Sequence, residues 1–279
     1  MQIDLHTHTY FSHGESSPRE NVLSAIKNKV DILGFTEHSP RPEQFSYHKD
    51  YDYQEKIQSS FPKYVEEVFS LKKEYEKSQK IKILLGIEQD FFPGHEEWIR
   101  DFLSQYSFDY RIGSVHFIGT WGFDIATDLD KWNAFSREET FEKYEEYFSS
   151  VKKMAASRIF HIAAHLDLVK IFTVETFREW RKTREAQMIF TEILKAIKEN
   201  GMALEISSAG YRKPCKELYP CLEILEIASE LQVPIVFSSD AHSASDITDR
   251  FTDLKKTALK LGFKKQAYFE AGKMRLADV

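Results

Sequence analysis

The chain has 279 residues, of which 42% are hydrophobic and 14% are aromatic. A chain of this length and composition can bury one large core, so we expect a single domain over residues 1–279. The net charge of -6 and the isoelectric point near 6.0 argue against a nucleic-acid partner, because affinity for polyanions depends on a basic surface. No apolar run approaches the roughly 18 residues of a membrane span, and the N-terminus lacks the pattern of a secretory signal.

These features predict a soluble protein without a membrane partner. The two cysteines, Cys215 and Cys221, form no framework of paired spacings, which fits a reducing compartment. Their thiols are predicted to be packing groups instead of catalysts. We therefore expect a cytoplasmic location.

Seven apolar runs of strand length predict seven β-strands. They are residues 1–5, 30–36, 81–87, 110–115, 158–164, 202–207 and 233–239. Segments with helical periodicity lie between them, at 18–29, 61–77, 137–156, 184–201 and 221–231. Ser17 before Pro18 is typical of a helix start, and Asn200 before Gly201 is typical of a helix end. Because strands and helices alternate, we predict an α/β fold with a mostly parallel sheet.

Residues 39–56 are dense in proline, aromatic and charged side chains, and we predict that they form a long loop. Loops at the mouth of a β/α barrel commonly shape the substrate site. The choice of leaving group is therefore expected to depend on this segment. His48 within it, and His95 and His161 elsewhere in the chain, are not assigned to metal binding.

Histidines and carboxylates lie in or just after the predicted strands. The set is His6, His8, Glu37, His38, Glu88, His116, His165, Asp240 and His242. The C-terminal ends of the strands converge on one mouth in a β/α barrel, where active sites of this architecture lie. A spacing of two residues, as in His6 and His8, directs both side chains to the same side of a strand. Imidazole and carboxylate ligands without thiolate suit Zn, Mn, Fe or Co better than Ca. The sequence therefore predicts a hydrolytic metal site.

Four motifs resemble those of the polymerase and histidinol phosphatase (PHP) superfamily. They are DLHTHTYFSHG at 4–14, FTEHS at 35–39, GSVH at 113–116 with AHLD at 164–167, and SDAH at 239–242. The resemblance covers nearly the whole chain and implies a distorted (β/α)7 TIM-like barrel with a metal site at the C-terminal end of its strands. GSVHFIGTWGFD at 113–124 and LEISSAGYRKP at 204–214 are similar to the histidinol-phosphate phosphatase branch. That branch removes phosphate from L-histidinol phosphate in histidine biosynthesis, so this activity is expected.

The resemblance also implies three divalent ions, of Zn, Mn or Fe. Transferred residue by residue, the resemblance implies that one ion is bound by His6, His8, Glu88 and Asp240. Glu88 would bridge to a second ion, which is held by His116 and His165. The third ion would be bound by His13, His38 and His242. His13 stands where many family members carry aspartate. Glu37 is expected to have a supporting role. Asp4 and Asp167 are expected either to orient metal-bound imidazoles or to cap strand ends.

We expect Arg212 to bind the substrate phosphate, because it follows a predicted strand and a guanidinium can donate two parallel hydrogen bonds. Lys213 is the second candidate for this contact. A hydroxide formed on the metal near neutral pH is expected to attack phosphorus in line. Asp240 and His242 are both candidates for supplying a proton to the leaving alkoxide, and the sequence does not single one out.

Other functions are compatible with parts of this pattern. A phosphatase of nucleotides or sugar phosphates would use the same metal site with different loops. A nuclease predicts a basic stripe or an appended binding domain, and the sequence has neither. A barrel that had lost catalysis and served only as a binding module or scaffold would be expected to have lost metal ligands. Here all nine of the ligand positions named above carry side chains able to bind metal. The expected partner is a small phosphate ester, and no oligomeric state is predicted.

Overall fold

The structure is a computed structural model of the chain, and it describes residues 1–47 and 51–279. Its strands are β1 (Ile3–Asp4), β2 (Ile32–Phe35), β3 (Lys82–Leu85), β4 (Glu88–Asp90), β5 (Ile112–Ser114), β6 (Phe117–Ile118), β7 (Trp121–Gly122), β8 (Ile162–Ala163), β9 (Ala203–Ser207), β10 (Ile235–Ser238), β11 (Lys265–Glu270) and β12 (Lys273–Asp278). Its helices are α1 (Pro18–Lys27), α2 (Tyr51–Ser78), α3 (Glu96–Ser104), α4 (Leu129–Ala134), α5 (Arg137–Ala156), α6 (Val174–Trp180), α7 (Arg184–Glu199), α8 (Leu222–Glu230) and α9 (Phe251–Lys260). His48 lies outside the described residues.

The strands form two parallel sheets, which confirms the predicted α/β fold with parallel strands. One sheet has the order β1-β2-β3, and the other has the order β10-β9-β8-β5-β4. Two further pairs, β6 with β7 and β11 with β12, are antiparallel hairpins. Within residues 1–47 and 51–279 neither sheet closes on itself. Single parallel bridges connect the two sheets, with Thr7 after β1 paired to Ala241 after β10, and His38 after β2 paired to Glu88 at the start of β4.

The third predicted strand is divided between the two sheets. The chain leaves the first sheet after β3, and Glu88 begins β4 in the second sheet, where the sequence had placed it after a single strand. Gly86 lies at the crossing, and a Cβ there would stand 2.7 Å from Cζ of Tyr110 and 2.8 Å from Cγ2 of Thr36. The Tyr64 hydroxyl donates to the Gly86 carbonyl at 2.7 Å. Glycine is therefore required for the close approach that turns Glu88 toward the other sheet.

Most predicted helices are present with nearly the predicted bounds. Helix α1 begins with a capping box in which Ser17 and Glu20 exchange hydrogen bonds. The prediction of a loop over residues 39–56 is wrong for the C-terminal end of that segment, because α2 begins at Tyr51. The reason is an apolar stripe that starts before the predicted helix, with Ile57 buried four residues ahead of Phe61. No helix in the described part of the chain is long and apolar enough to cross a membrane.

The core has two apolar layers on either side of the strands. The larger cluster packs the helices against the outer faces of the sheets. The smaller cluster joins the inner faces, including Leu5, Ile112 and Val236, to Phe269 of the C-terminal β11–β12 hairpin. Since parallel strands present their C-terminal ends at one edge, the segments that follow them are free to form a site there.

Candidate metal centre

The predicted ligands converge at the C-terminal ends of the strands in three overlapping groups. The groups are His6 with His8 and Asp240, Glu88 with His116 and His165, and His8 with His38 and His242. Within each group the ligand atoms lie within 4.8 Å of one another. The sequence had placed His8 with the first ion alone, whereas here its ring contributes to two groups.

His13 approaches the third group from its own loop. Its ring centroid lies 4.3 Å from that of His242 and 4.8 Å from that of His38. The centroid distance to His8 is longer, at 5.9 Å. The structure therefore places His13 beside the two residues with which the family resemblance grouped it.

Glu88 stands between the groups, and its two carboxylate oxygens face different histidines. Oε2 lies 3.3 Å from Nε2 of His6 and 3.4 Å from Nε2 of His8. Oε1 lies 2.9 Å from Nε2 of His165 and 3.6 Å from Nε2 of His116. One carboxylate so placed can serve two neighbouring ions.

Asp240 faces the first group from the turn after β10. Its Oδ1 lies 3.3 Å from Nε2 of His8 and 3.7 Å from Nε2 of His6. The Asp240 backbone has a φ of 47°, in the left-handed region that residues other than glycine seldom adopt. Such a backbone conformation is often held at functional sites, where the surrounding structure compensates its cost.

Three of these separations have the spacing of atoms that bind one metal ion. Ligand atoms bound tetrahedrally at about 2.0–2.1 Å from a zinc ion lie about 3.3 Å apart, by the geometry of a tetrahedron. The contacts of His6 with Glu88, and of His8 with Glu88 and Asp240, have this spacing. In addition, the buried Nε2 atoms of His6 and His242 have no hydrogen-bond partner within the described residues. Buried polar atoms are rarely left unpaired, so these residues fit a divalent cation between them.

The charges at the centre also favour a cation. Burial alone would raise the pKa of Glu88, but the neighbouring His38 and His6 hold it well below its ordinary value. The pKa of Asp240 is likewise held well below its ordinary value, against the effect of burial, chiefly by His6. Both carboxylates are therefore ionised at neutral pH. Burial lowers the pKa of His38 to about 4, which leaves its imidazole neutral and able to bind metal.

Two supporting carboxylates were missed by the sequence analysis. Glu205 lies in β9, where Oε1 pairs with Nδ1 of His6 at 2.7 Å and Oε2 accepts the backbone N–H of His165 at 2.6 Å. Asp90 pairs with Nδ1 of His116 through Oδ1. The sequence contained a signal for each of these carboxylates. Glu205 interrupts an apolar strand, and Asp90 is two residues beyond Glu88. A partner at one ring nitrogen fixes the orientation of a metal-binding imidazole.

The Asp90 contact also changes the charge of His116. Burial alone would lower the pKa of that imidazole, but Asp90, then Glu88 and Asp124, raise it to about 9. Without metal, His116 is therefore protonated at neutral pH, and an ion that binds it must displace a proton.

We expect Glu205→Gln to weaken metal binding by about 10- to 100-fold, because the amide cannot hold His6 and His165 as the carboxylate does. The measurement is the metal content of the purified protein and its loss to a competing chelator. Glu199→Gln, on α7, makes the same chemical change away from the centre and serves as the matched control. Equal metal retention in the two variants would contradict the role of Glu205.

Asp4, Asp167 and Glu37 do not orient the ligand imidazoles by hydrogen bonds within the described residues. Asp4 accepts hydrogen bonds from the backbone N–H and hydroxyl of Ser239, and thereby caps the end of β10. Asp167 accepts from Lys170 and from the backbone N–H of Cys221. The Glu37 carboxylate accepts hydrogen bonds from Thr9 and Ser12, which order the loop after β1. Of the two expected roles for Asp4, strand capping is the observed one.

A cavity of about 400 Å³ opens over the ligand groups. Besides the ligands themselves, it is lined by Arg41, Tyr47, Asp124, Ile125, Leu168, Ile171, Lys213 and Tyr219. The volume is within the range of small-molecule sites. Lys213, the second candidate for the phosphate contact, is one of these lining residues.

Arg212, which the sequence analysis expected at the substrate phosphate, is not among the residues that line this cavity. Its guanidinium donates to the carbonyls of Ser239, at 2.5 Å, and Asp240, at 3.1 Å. It also donates to the Asp249 carboxylate at 3.2 Å. Arg212 therefore supports the turn that carries Asp240. Arg41, which the sequence analysis did not single out, lies at the cavity wall instead.

Two histidines that were not assigned to metal lie apart from the three groups. Nδ1 of His161 accepts the backbone N–H of Arg111 at 3.0 Å, and its ring packs 5.3 Å from that of Phe269. Nε2 of His95 lies 2.7 Å from the amide nitrogen of Gln44. His161 therefore packs against the C-terminal hairpin, and His95 connects two surface loops.

Comparison with known proteins gives one consistent result. The PHP domain family model matches residues 4–209. A Deinococcus radiodurans protein named "Probable histidinol-phosphatase" is 30% identical over 260 residues, which is 93% of each chain. The Bacillus subtilis protein named "Histidinol-phosphatase" is also 30% identical, over 88% of this chain and 94% of the relative.

Solved structures agree. The histidinol phosphate phosphatase of Lactococcus lactis, determined with Zn, L-histidinol and phosphate, is 25% identical, with a TM-score of 0.75 and 98% of each chain covered. A Listeria monocytogenes structure is 29% identical, with a TM-score of 0.79, and covers 90% of this chain and 99% of its own. Both the sequence and the fold are matched over nearly the full length. The chain therefore belongs to the PHP domain family.

Proposed function

We propose that this protein is a metal-dependent phosphomonoesterase that hydrolyses L-histidinol phosphate to L-histidinol and phosphate. The observation that carries the proposal is the position of Glu88 in the lining of a substrate-sized cavity. One of its carboxylate oxygens faces His6 and the other faces His165. The names of the Bacillus subtilis and Lactococcus lactis relatives, and the ligands bound in the latter, support the choice of substrate.

We further propose that residues 1–279 form one domain, a distorted (β/α)7 barrel. Taking β3 and β4 as one interrupted strand leaves seven parallel strands within residues 1–47 and 51–279. The bridges from Thr7 to Ala241 and from His38 to Glu88 support closure, because they join the two sheets on both sides. A cytoplasmic location is part of the proposal, and the buried unpaired thiols of Cys215 and Cys221 support it.

Three divalent ions, of Zn, Mn or Fe, fit the ligand groups. His6, His8, Glu88 and Asp240 would hold the first, Glu88, His116 and His165 the second, and His13, His38 and His242 the third. When bound, such ions supply an acidified water and neutralise charge on the phosphoryl oxygens. His8 lies between the first and third ligand groups, and Glu88 lies between the first and second. These shared positions support the proposal that the ions lie close together.

Arg41 and Lys213 are proposed to bind the substrate phosphate, because both cations line the cavity. Nε of Arg41 donates to Asp90 at 2.6 Å, and its guanidinium lies 4.9 Å from the centre of the Tyr47 ring. These contacts fix the direction of the guanidinium. Lys213 lies on the segment after β9. Two cations in one cavity would orient the ester before cleavage.

Asp240 and His242 are both proposed to carry the proton during the reaction. The pKa of Asp240 is held well below its ordinary value, against the effect of burial, chiefly by His6, so its carboxylate is ionised. The pKa of His242 is held well below its ordinary value by burial and by His8, so its imidazole is neutral. Each group can accept a proton from the attacking water and return it to the leaving alkoxide.

The test is steady-state kinetics of the purified protein on L-histidinol phosphate, an aryl phosphate and a nucleoside monophosphate. We expect kcat/KM for L-histidinol phosphate to exceed the other two by at least about 100-fold, as expected when buried polar groups must be matched by the substrate. Activity should be lost to a chelator and regained with Zn or Mn. Equal values for the three substrates would overturn the proposed substrate, and an absence of phosphate release would overturn the phosphatase.

A further inference from the structure

The cavity contains one carboxylate that is not part of any ligand group. Three carboxylates line it among the described residues, namely Glu88, Asp124 and Asp240. Glu88 and Asp240 belong to the histidine groups, whereas Asp124 does not. Asp124 lies after the β6–β7 hairpin that follows His116, and it is half-buried. The cavity therefore contains a carboxylate that belongs to none of the three ligand groups.

The Asp124 side chain is held in one orientation by Tyr47. The Tyr47 hydroxyl donates to Oδ1 of Asp124 at 2.7 Å. Gly122 makes room for that tyrosine, because a Cβ at this position would stand 2.3 Å from Cε1 of Tyr47. Oδ2 makes no hydrogen bond within residues 1–47 and 51–279, nor does any Lys, Arg or His nitrogen there form an ion pair with Asp124. The carboxylate therefore lines the cavity with Oδ2 free of hydrogen bonds among these residues, and its charge also helps to raise the pKa of His116.

The surroundings of Asp124 favour an organic ligand over a further metal ion. Ile125, Leu168 and Ile171 form an apolar wall of the same cavity. A carboxylate beside aliphatic side chains suits a ligand that carries one cationic nitrogen on a carbon skeleton. No second carboxylate or imidazole is grouped with Asp124 in the described chain, and a metal ion needs several such ligands.

We propose that Asp124 is a specificity-determining residue that binds the cationic amino group of the substrate. This inference rests on the proposed function, since L-histidinol phosphate carries an ammonium group on the carbon next to the phosphate-bearing carbon. An ionised carboxylate that accepts from an ammonium forms a charge-assisted hydrogen bond. The phosphate would then be held by the cations and the metal ions, and the ammonium next to it by Asp124, within the same cavity.

Selectivity between two substrates tests this contact in the metal-loaded enzyme. The pair is L-histidinol phosphate and its analogue in which hydrogen replaces the amino group. We expect the wild-type kcat/KM to favour the amino compound by roughly 30-fold, the usual size of a charged hydrogen bond. In Asp124→Asn the preference should fall below about threefold. Asp130→Asn removes the same charge from an exposed position nearby and should keep the wild-type preference.

A second arm separates the ammonium from the imidazole ring of the substrate. Phosphoethanolamine carries the ammonium without the ring, so Asp124→Asn should lower its kcat/KM by a similar factor. A loss confined to substrates that carry the ring would overturn the assignment to the ammonium. Tyr47→Phe, which removes only the hydrogen bond to Oδ1, should reduce the preference by a few-fold.

Binding of the product gives a readout that does not depend on turnover. Calorimetry of L-histidinol with the metal-loaded protein and saturating phosphate should show affinity about 30-fold weaker in Asp124→Asn than in Asp130→Asn. Unchanged affinity, or equal loss of kcat/KM for the amino and deamino substrates, would overturn the inference. Failure of the proposed function is distinguishable, because it would appear in the wild-type enzyme as no preference for L-histidinol phosphate over an aryl phosphate.

Discussion

Glu88→Gln is expected to lower kcat by roughly 10³-fold or more, with loss of bound metal. Both oxygens of this carboxylate face imidazoles, with Oε2 toward His6 and His8 and Oε1 toward His165. An amide has one weaker acceptor and no charge, so it cannot serve two cations. The measurement combines phosphate release with metal analysis of the purified variant.

Glu88→Asp is the matched variant, because it keeps the charge and shortens the side chain by one methylene. It should retain metal at one of the two groups and lose it from the other. Since Glu88 is buried, thermal unfolding of both variants must be measured to show that the fold is intact. Wild-type metal content and kcat in folded Glu88→Gln would contradict the bridging role.

The second large effect is expected from Lys170→Met, which should lower the free energy of unfolding by about 3–5 kcal/mol. The Lys170 ammonium is fully buried and donates to the Asp167 carboxylate and to the Leu218 carbonyl, both at 2.8 Å. Burial alone would lower the pKa of Lys170, but Asp167 raises it above its ordinary value. Removal of the lysine leaves the buried Asp167 carboxyl without its cationic partner.

The same contacts hold the segment that carries Lys213 and Tyr219 at the cavity. Lys170 binds it through Leu218, and Asp167 binds it by accepting the backbone N–H of Cys221. KM for the substrate should therefore rise in the variant. Denaturant unfolding measures the stability and steady-state kinetics measures KM.

The double variant Asp167→Asn with Lys170→Met provides the control. It removes the stranded charge and keeps an oxygen acceptor for Cys221, so it should recover part of the lost stability. A loss below about 1 kcal/mol in Lys170→Met, or no recovery in the double variant, would show that the pair is not the source of the stability.

Much of the fold was predictable because it depends on local patterns. The seven apolar runs predicted the parallel strands, and Ser17 with Pro18 predicted the start of α1. The start of α2 was missed, since charged and tyrosine-rich residues obscure the apolar stripe that begins at Ile57. The division of the third strand at Gly86 was also missed, because it depends on the contact with Tyr110, which is distant in sequence.

The sequence by itself determined which residues could bind metal and that they would meet. Side chains that follow parallel strands share one edge of the sheet, so the strand positions of residues such as His6, His116 and Asp240 sufficed. The family resemblance then added His13 to the set and implied the substrate. The first of these conclusions needs only the order of strands along the chain, whereas the other two need the resemblance.

Only the tertiary structure decided which groups support the ligands and which side chains reach the cavity. Arg212 and Lys213 are adjacent in sequence, yet Arg212 is bound by the Ser239 and Asp240 carbonyls and Lys213 lines the cavity. Glu205 meets His6 across 199 positions of the chain. Such contacts depend on the packing of distant segments and on side-chain direction, which no local pattern encodes.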